Sequence, residues 1–73
     1  MPYIKIELTR EGVSREQKRE LIAGVTNVIT NVLNKDPKLT HVVISEIDTD
    51  NWGFDGEQVS DLREKGITAD KKN

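Results

Sequence analysis

Pro2, directly behind the initiator Met1, is the residue of this chain with the most unusual chemical potential. While Met1 is attached, its ring nitrogen is an amide. Once Met1 is removed, which a small second residue permits, it becomes a secondary amine with a basic lone pair. An α-amino group titrates at about pH 8, and burial in an apolar pocket beside a cation lowers that value. A freed Pro2 is therefore suited to taking and returning protons at neutral pH. By position alone it has a plainer reading, a proline at the first residue of a strand.

The remaining side chains narrow the chemistry. With no cysteine and a single histidine, His41, there is no thiol nucleophile, no disulfide framework and no metal-ligand set for zinc. No Gly-x-Ser-x-Gly elbow supports a serine triad. Lys5, Glu7 and Glu46 fall on strands, and Glu16, Glu20 and Lys18 on a helix; these read as solvated or interfacial charges. Eleven Lys and Arg against thirteen Asp and Glu leave a net charge of −2, which advertises neither a nucleic-acid nor a membrane partner. A local basic pocket for an anion is still compatible with that balance. A ferredoxin-like nucleic-acid binder would need two β-α-β units and exposed aromatic platforms, which one Trp, one Tyr and one Phe do not supply.

The elements that must carry these residues follow from periodicity. Residues 3–8 alternate, with Ile4, Ile6 and Leu8 on one face and Tyr3, Lys5 and Glu7 on the other, as in a half-buried strand. Ser14 with Gln17 three residues on is a capping-box signature, so a helix should begin near Arg15. Leu21, Ile22, Val25, Val28, Ile29, Val32 and Leu33 then recur at three- and four-residue spacing, one apolar stripe along about five turns. Asn34-Lys35-Asp36-Pro37 ends it, since proline disfavours helical geometry in the residue before it. Residues 40–47 are β-rich with apolar side chains of both parities, Val42 and Ile44 against Val43 and Ile47, so both faces of this strand should be buried. Strand, helix and strand make a β-α-β unit with parallel strands and a right-handed crossover. Turn formers from Asp48 to Glu57 suit a loop and a short hairpin or arm around Trp52 and Phe54. After Val59 no apolar period is visible, and a loosely held tail is expected from about residue 63.

The expected class is thus α+β, a single domain over residues 1–73. At 34% hydrophobic content, a chain this short buries only roughly 60% of its unfolded surface, and no disulfide or metal compensates. Oligomerisation is the remedy left. The absence of cysteine fits a reducing compartment, no secretory h-region or membrane-length apolar run is present, and a cytoplasmic location is expected.

Pro2 opening a strand, the Gly12-Val13-Ser14-Arg15-Glu16-Gln17-Lys18 helix start, the Val42-Val43-Ile44-Ser45-Glu46 strand and the Trp52-Gly53-Phe54-Asp55-Gly56-Glu57 segment together resemble the 4-oxalocrotonate tautomerase family, over roughly residues 2–62. No one piece is specific; their order, spacing and length are. The resemblance implies a β-α-β subunit that pairs into dimers and assembles as a hexamer, with active sites at subunit junctions and no metal or organic cofactor. It implies an isomerase in which the amino-terminal proline moves a proton between the oxygen and a carbon of a 2-hydroxy-2,4-dienoate or similar enol. Arginines in such sites hold the carboxylate and polarise the 2-oxo group, and an aromatic residue keeps the pocket apolar.

This sequence departs from that pattern at the arginines. The first falls on Val13, with one extra loop residue, and the nearest cation that could substitute is Arg10, otherwise read as a solvated turn charge. The second falls on His41, which can donate a hydrogen bond but lacks the planar fork of arginine. The aromatic position falls on Trp52, which is also suited to interface packing. At ~3.3 Å per residue, Pro2 and Arg10 stand about 26 Å apart along an extended strand, so an Arg10 that serves a given Pro2 must come from a neighbouring chain. An antiparallel pairing about a twofold would place one chain's strand end beside the other's start. The expected reaction is enol–keto tautomerisation with Pro2 as base and then acid, and Arg10, His41 and Trp52 as substrate-binding residues. A monocarboxylate or aryl enol suits the missing arginines better than a dicarboxylate. Two other readings remain open: addition of water to an unsaturated acid in the same pocket, as in relatives resembling hydratases and dehalogenases, and a non-catalytic oligomeric binder.

Overall fold

The computed structural model describes residues 1–70. Strand β1 (Tyr3–Thr9) leads through a loop to helix α1 (Arg15–Leu33), and strand β2 (His41–Ile47) returns beside β1. The two strands are parallel, in register from Tyr3 opposite His41 to Thr9 opposite Ile47, as the alternation and the helical crossover require. The helix starts at the residue the capping box marks. The Ser14 hydroxyl accepts from the Gln17 N–H at 3.1 Å, and the Gln17 side chain accepts from the Ser14 N–H at 2.9 Å. At the other end Asn34 takes the left-handed conformation (φ 54°) that closes many helices. A 3₁₀ turn over Pro37–Leu39 follows, with the Asp36 side chain accepting from the Lys38 N–H at 2.9 Å.

Beyond β2, a 3₁₀ turn (Thr49–Asn51) leads to a small antiparallel hairpin of β3 (Gly53–Phe54) and β4 (Glu57–Gln58). Its two-residue turn is Asp55-Gly56, both at positive φ (55° and 80°), the geometry for which Asp-Gly is favoured. A second helix, α2 (Val59–Glu64), follows directly. Its last two residues, Arg63 and Glu64, reach into the stretch expected to form a loose tail from about residue 63. Gly66 at φ 81° closes α2, its N–H donating to the Arg63 carbonyl at 3.0 Å, and Ile67 donates to the Leu62 carbonyl at 3.0 Å. The last three residues of that expected tail, 71–73, lie outside the described residues.

The small core sits at the α2 end. Val59 (4% exposed) and Leu62 (6%) are the only buried hydrophobic side chains among the described residues. The helix stripe that dominates the sequence is left open in the single chain, with Val28, Val32 and Leu33 more than half exposed. The second face of β2 is also more open than expected, because Val43 stays 42% exposed and its neighbour Tyr3 63%. The radius of gyration is 15.2 Å, against about 11 Å for a compact chain of this length. A surface of 5901 Å² likewise exceeds the roughly 4,600 Å² usual for a monomer of this mass. One copy alone leaves uncovered the apolar surface that its own sequence was patterned to bury.

Candidate active site

Pro2 stands at the head of β1, half-buried, with Met1 projecting into the open (84% exposed). Its carbonyl accepts from the His41 N–H at 3.0 Å, the first rung of the parallel pair. The strand register therefore brings two of the four expected site residues together. Pro2 and His41 open adjacent strands at the same end, and the His41 side chain is exposed there.

Arg10 and Trp52 lie at the opposite end of the strand pair. The Arg10 N–H donates to the Ile47 carbonyl at 2.7 Å, extending the pairing one residue past β1. Its guanidinium is held lightly. Nη2 donates to the Glu46 carbonyl at 3.3 Å, Nε lies 3.4 Å from Oδ1 of Asp48, and the side chain stays 62% exposed. Trp52 is half-buried and anchored through its carbonyl, which accepts from the Val59 N–H at 2.8 Å. With Leu8, Phe54, Val59, Leu62 and Arg63 it lines a cavity of about 410 Å³. A larger groove of about 690 Å³ runs along α1, walled by Leu8, Val13, Leu21, Val25 and Val28. Neither cavity reaches Pro2 or His41, so one chain does not bring the four residues into one pocket.

Two charged contacts at this second end were not foreseen. Arg63 grips Glu11 with two nitrogens, Nε and Nη2 (the latter at 3.2 Å), and its Nη1 donates to the Ile67 carbonyl at 2.9 Å. Glu11 also accepts from the Thr9 hydroxyl. The Arg63 hydrogen bonds and then the Thr9 bond hold the Glu11 carboxyl well below its usual range, at about 2, and raise the already high pKa of Arg63. With all three guanidinium nitrogens engaged, Arg63 is a clamp between α2 and the β1–α1 loop. Arg10, whose Nη1 makes no bond among the described residues, keeps one edge of its guanidinium open. No sequence signal could have paired Arg63 with Glu11 across 52 residues. Asp48 comes beside Arg10 through the strand register, which sets Thr9 opposite Ile47 and so Arg10 opposite Asp48 next. A third pair, Lys18 with Glu46, ties the first turns of α1 to the end of β2.

The described residues contain no group of three His, Cys, Asp or Glu side chains able to hold a metal ion. No described helix is long and apolar enough to cross a membrane.

A lone β-α-β unit with a proline at its head, an apolar helix face left open and a short hairpin around an aromatic defines a class of small proline-headed α+β subunits. The family model described as "Tautomerase enzyme" matches residues 2–62. "Probable tautomerase K2" of Dickeya dadantii is 48% identical over 65 residues, covering 89% of this chain and 97% of that protein. The crystal structure of DmpI from Helicobacter pylori superposes with a TM-score of 0.82 at 43% identity, over 86% of this chain and 97% of that one. A heterohexamer 4-oxalocrotonate tautomerase from Chloroflexus aurantiacus superposes with a TM-score of 0.79 at 25% identity, over 86% and 100%. The chain belongs to the tautomerase family, that of the 4-oxalocrotonate tautomerases, and is an isomerase.

Proposed function

We propose that the protein interconverts the enol and keto forms of a small 2-oxo acid, with the amine of Pro2, freed by loss of Met1, moving the proton. The observation that carries this reading is the placing of Pro2. It is half-buried at the head of β1, its backbone is fixed by the His41 N–H, and the residue to be removed lies exposed beside it. The neutral amine takes the proton from the enol oxygen, that oxygen becomes the carbonyl, and the carbon–carbon π pair takes the proton back from the prolinium. Amine and protein end the cycle unchanged.

His41, beside Pro2, donates to the substrate carboxylate or forming carbonyl. Arg10 enters from a neighbouring copy, since its own strand carries it about 26 Å away from its own Pro2, and Trp52, at the same end of the strand pair, enters with it. The apolar face of α1 supports this: exposed patches of this kind mark association surfaces, and a structural relative is a heterohexamer. We read the working form as a homo-oligomer, a hexamer by analogy with that relative, with no nucleic-acid or membrane partner.

The test begins with intact mass, which should show Met1 removed. Ketonisation of 2-hydroxymuconate and of phenylenolpyruvate by processed protein should then fall by about 10²-fold or more in Pro2→Ala, the scale of a positioned general base. Equal rates in wild type and variant would exclude Pro2 as the base.

A further inference from the structure

Three cations at the Arg10 end of the sheet face carboxylates: Arg10 faces Asp48, Lys18 faces Glu46 and Arg63 faces Glu11. Each of these three charges is met by one of opposite sign, so none of the three stands ready, unopposed, for an incoming dianion. The pairs differ in how open they are. Glu46 is 17% exposed and Arg63 23%, whereas Arg10 and Asp48 are both 62% exposed. The Arg10–Asp48 contact is the one that a substrate can reach and share.

We propose that Asp48 determines which substrate charge this site accepts, by occupying one edge of Arg10 with a fixed carboxylate and so favouring monocarboxylate enols over dicarboxylates. This rests on the reading of Arg10 as a substrate-binding residue from a neighbouring chain. A substrate whose carboxylate is held beside Pro2 and His41 sends its other end toward Arg10 and Trp52 of that neighbour. If that end is apolar, the Arg10–Asp48 pair stays intact, and the end packs against Trp52 and Phe54, which line the adjoining cavity. If it carries a second carboxylate, the remaining Arg10 nitrogens attract it while Asp48 repels it at close range. Like charges brought together in this way act as a specificity barrier. Asp48 precedes a 3₁₀ turn without capping it through its side chain, so Asp48→Asn removes the charge without removing a cap.

The experiment is kcat/KM for 2-hydroxymuconate and for phenylenolpyruvate in wild type, Asp48→Asn, Arg10→Ala and the double variant. In Asp48→Asn the dicarboxylate value should rise about fivefold, through KM, and the monocarboxylate value should stay within about twofold. The gain should vanish in the Arg10→Ala background and shrink at about 0.5 M salt, because the pair is exposed. An unchanged ratio of the two substrates in Asp48→Asn, with Arg10→Ala still impairing either of them, overturns the role of Asp48 and leaves that of Arg10 standing. Arg10→Ala without effect on either substrate overturns the Arg10 reading itself, and the Asp48 proposal with it.

Discussion

The two ends of the strand pair are built differently. At the Arg10 end the chain folds on itself, with the hairpin, α2, three ion pairs and both buried hydrophobic side chains gathered there. At the Pro2 end the strand ladder begins, extended by the His41 N–H to the Pro2 carbonyl, and Tyr3 and Val43 stand exposed close by. In the proposed function each chain completes the half of the site that binds and leaves open the half that reacts. The contrast gives that proposal its form: because one chain builds no pocket around Pro2, a dry pocket there would take its walls from other copies. It also fits the apolar face of α1, where Val28, Val32 and Leu33 stay open in one chain.

The contrast breaks most completely if that face is charged. Val28 is 58% exposed in one chain, where a polar replacement costs about 0.5 kcal/mol or less. In an assembly, Val28→Asp would place an unpaired carboxylate in an apolar interface at a cost of several kcal/mol. Sedimentation should show single chains, and activity should fall by about 10²-fold; an intact, active oligomer would mean that α1 is not an assembly face. Leu62→Ala strikes the self-folded end instead. Truncating a buried leucine costs about 2–5 kcal/mol, and thermal melting should drop by about 10 °C or more. A much smaller drop would show that assembly, not this core, holds that end together.

Arg10→Ala separates binding from folding. With both partners exposed, its pair with Asp48 adds at most about 1 kcal/mol to stability, while KM for the enol should rise about tenfold. Unchanged KM and kcat would return Arg10 to a solvated turn charge. The smallest effect is that of pH on the Glu11 clamp. Because the folded carboxyl titrates at about 2 instead of 4.5, it stabilises the fold above pH 4.5, and that contribution is lost as pH falls from 4.5 through 2. Melting temperature should therefore fall more steeply over this window in wild type than in Arg63→Gln. Parallel curves would remove the clamp from the account.

Much of this was legible in the sequence, and the rest was not for identifiable reasons. The Ser14 and Gln17 pair marked the start of α1 and Asn34-Lys35-Asp36-Pro37 its end, because caps are local chemistry. The alternation of Ile4, Ile6 and Leu8 gave the inward face of β1, and Asp55-Gly56 the hairpin. Helix α2 escaped because it is short and charged, with only Val59 and Leu62 to signal it. Val43 read as buried because periodicity reports that a face will be covered without saying whether the same chain covers it. The same ambiguity hid the destination of the α1 stripe. His41 and Trp52 were singled out by the family positions they fall on and Arg10 as the cation nearest to another, whereas Asp48 and Arg63 became visible only once strand register and tertiary contact were known.

Mixing two impaired variants, assayed at substrate well below KM, tests the central claim most directly. Pro2→Ala lacks the reacting amine and Arg10→Ala the binding cation, and each should be weakly active when assembled alone. Unfolded together and refolded, or produced together in one cell, the two should form mixed oligomers in which some junctions pair an intact Pro2 with an intact Arg10 of another chain. Activity should then rise well above that of either parent, in proportion to the fraction of mixed junctions. Mixed oligomers, confirmed by mass, that show no more activity than the average of their two parents would contradict a site shared between the opposite ends of two chains.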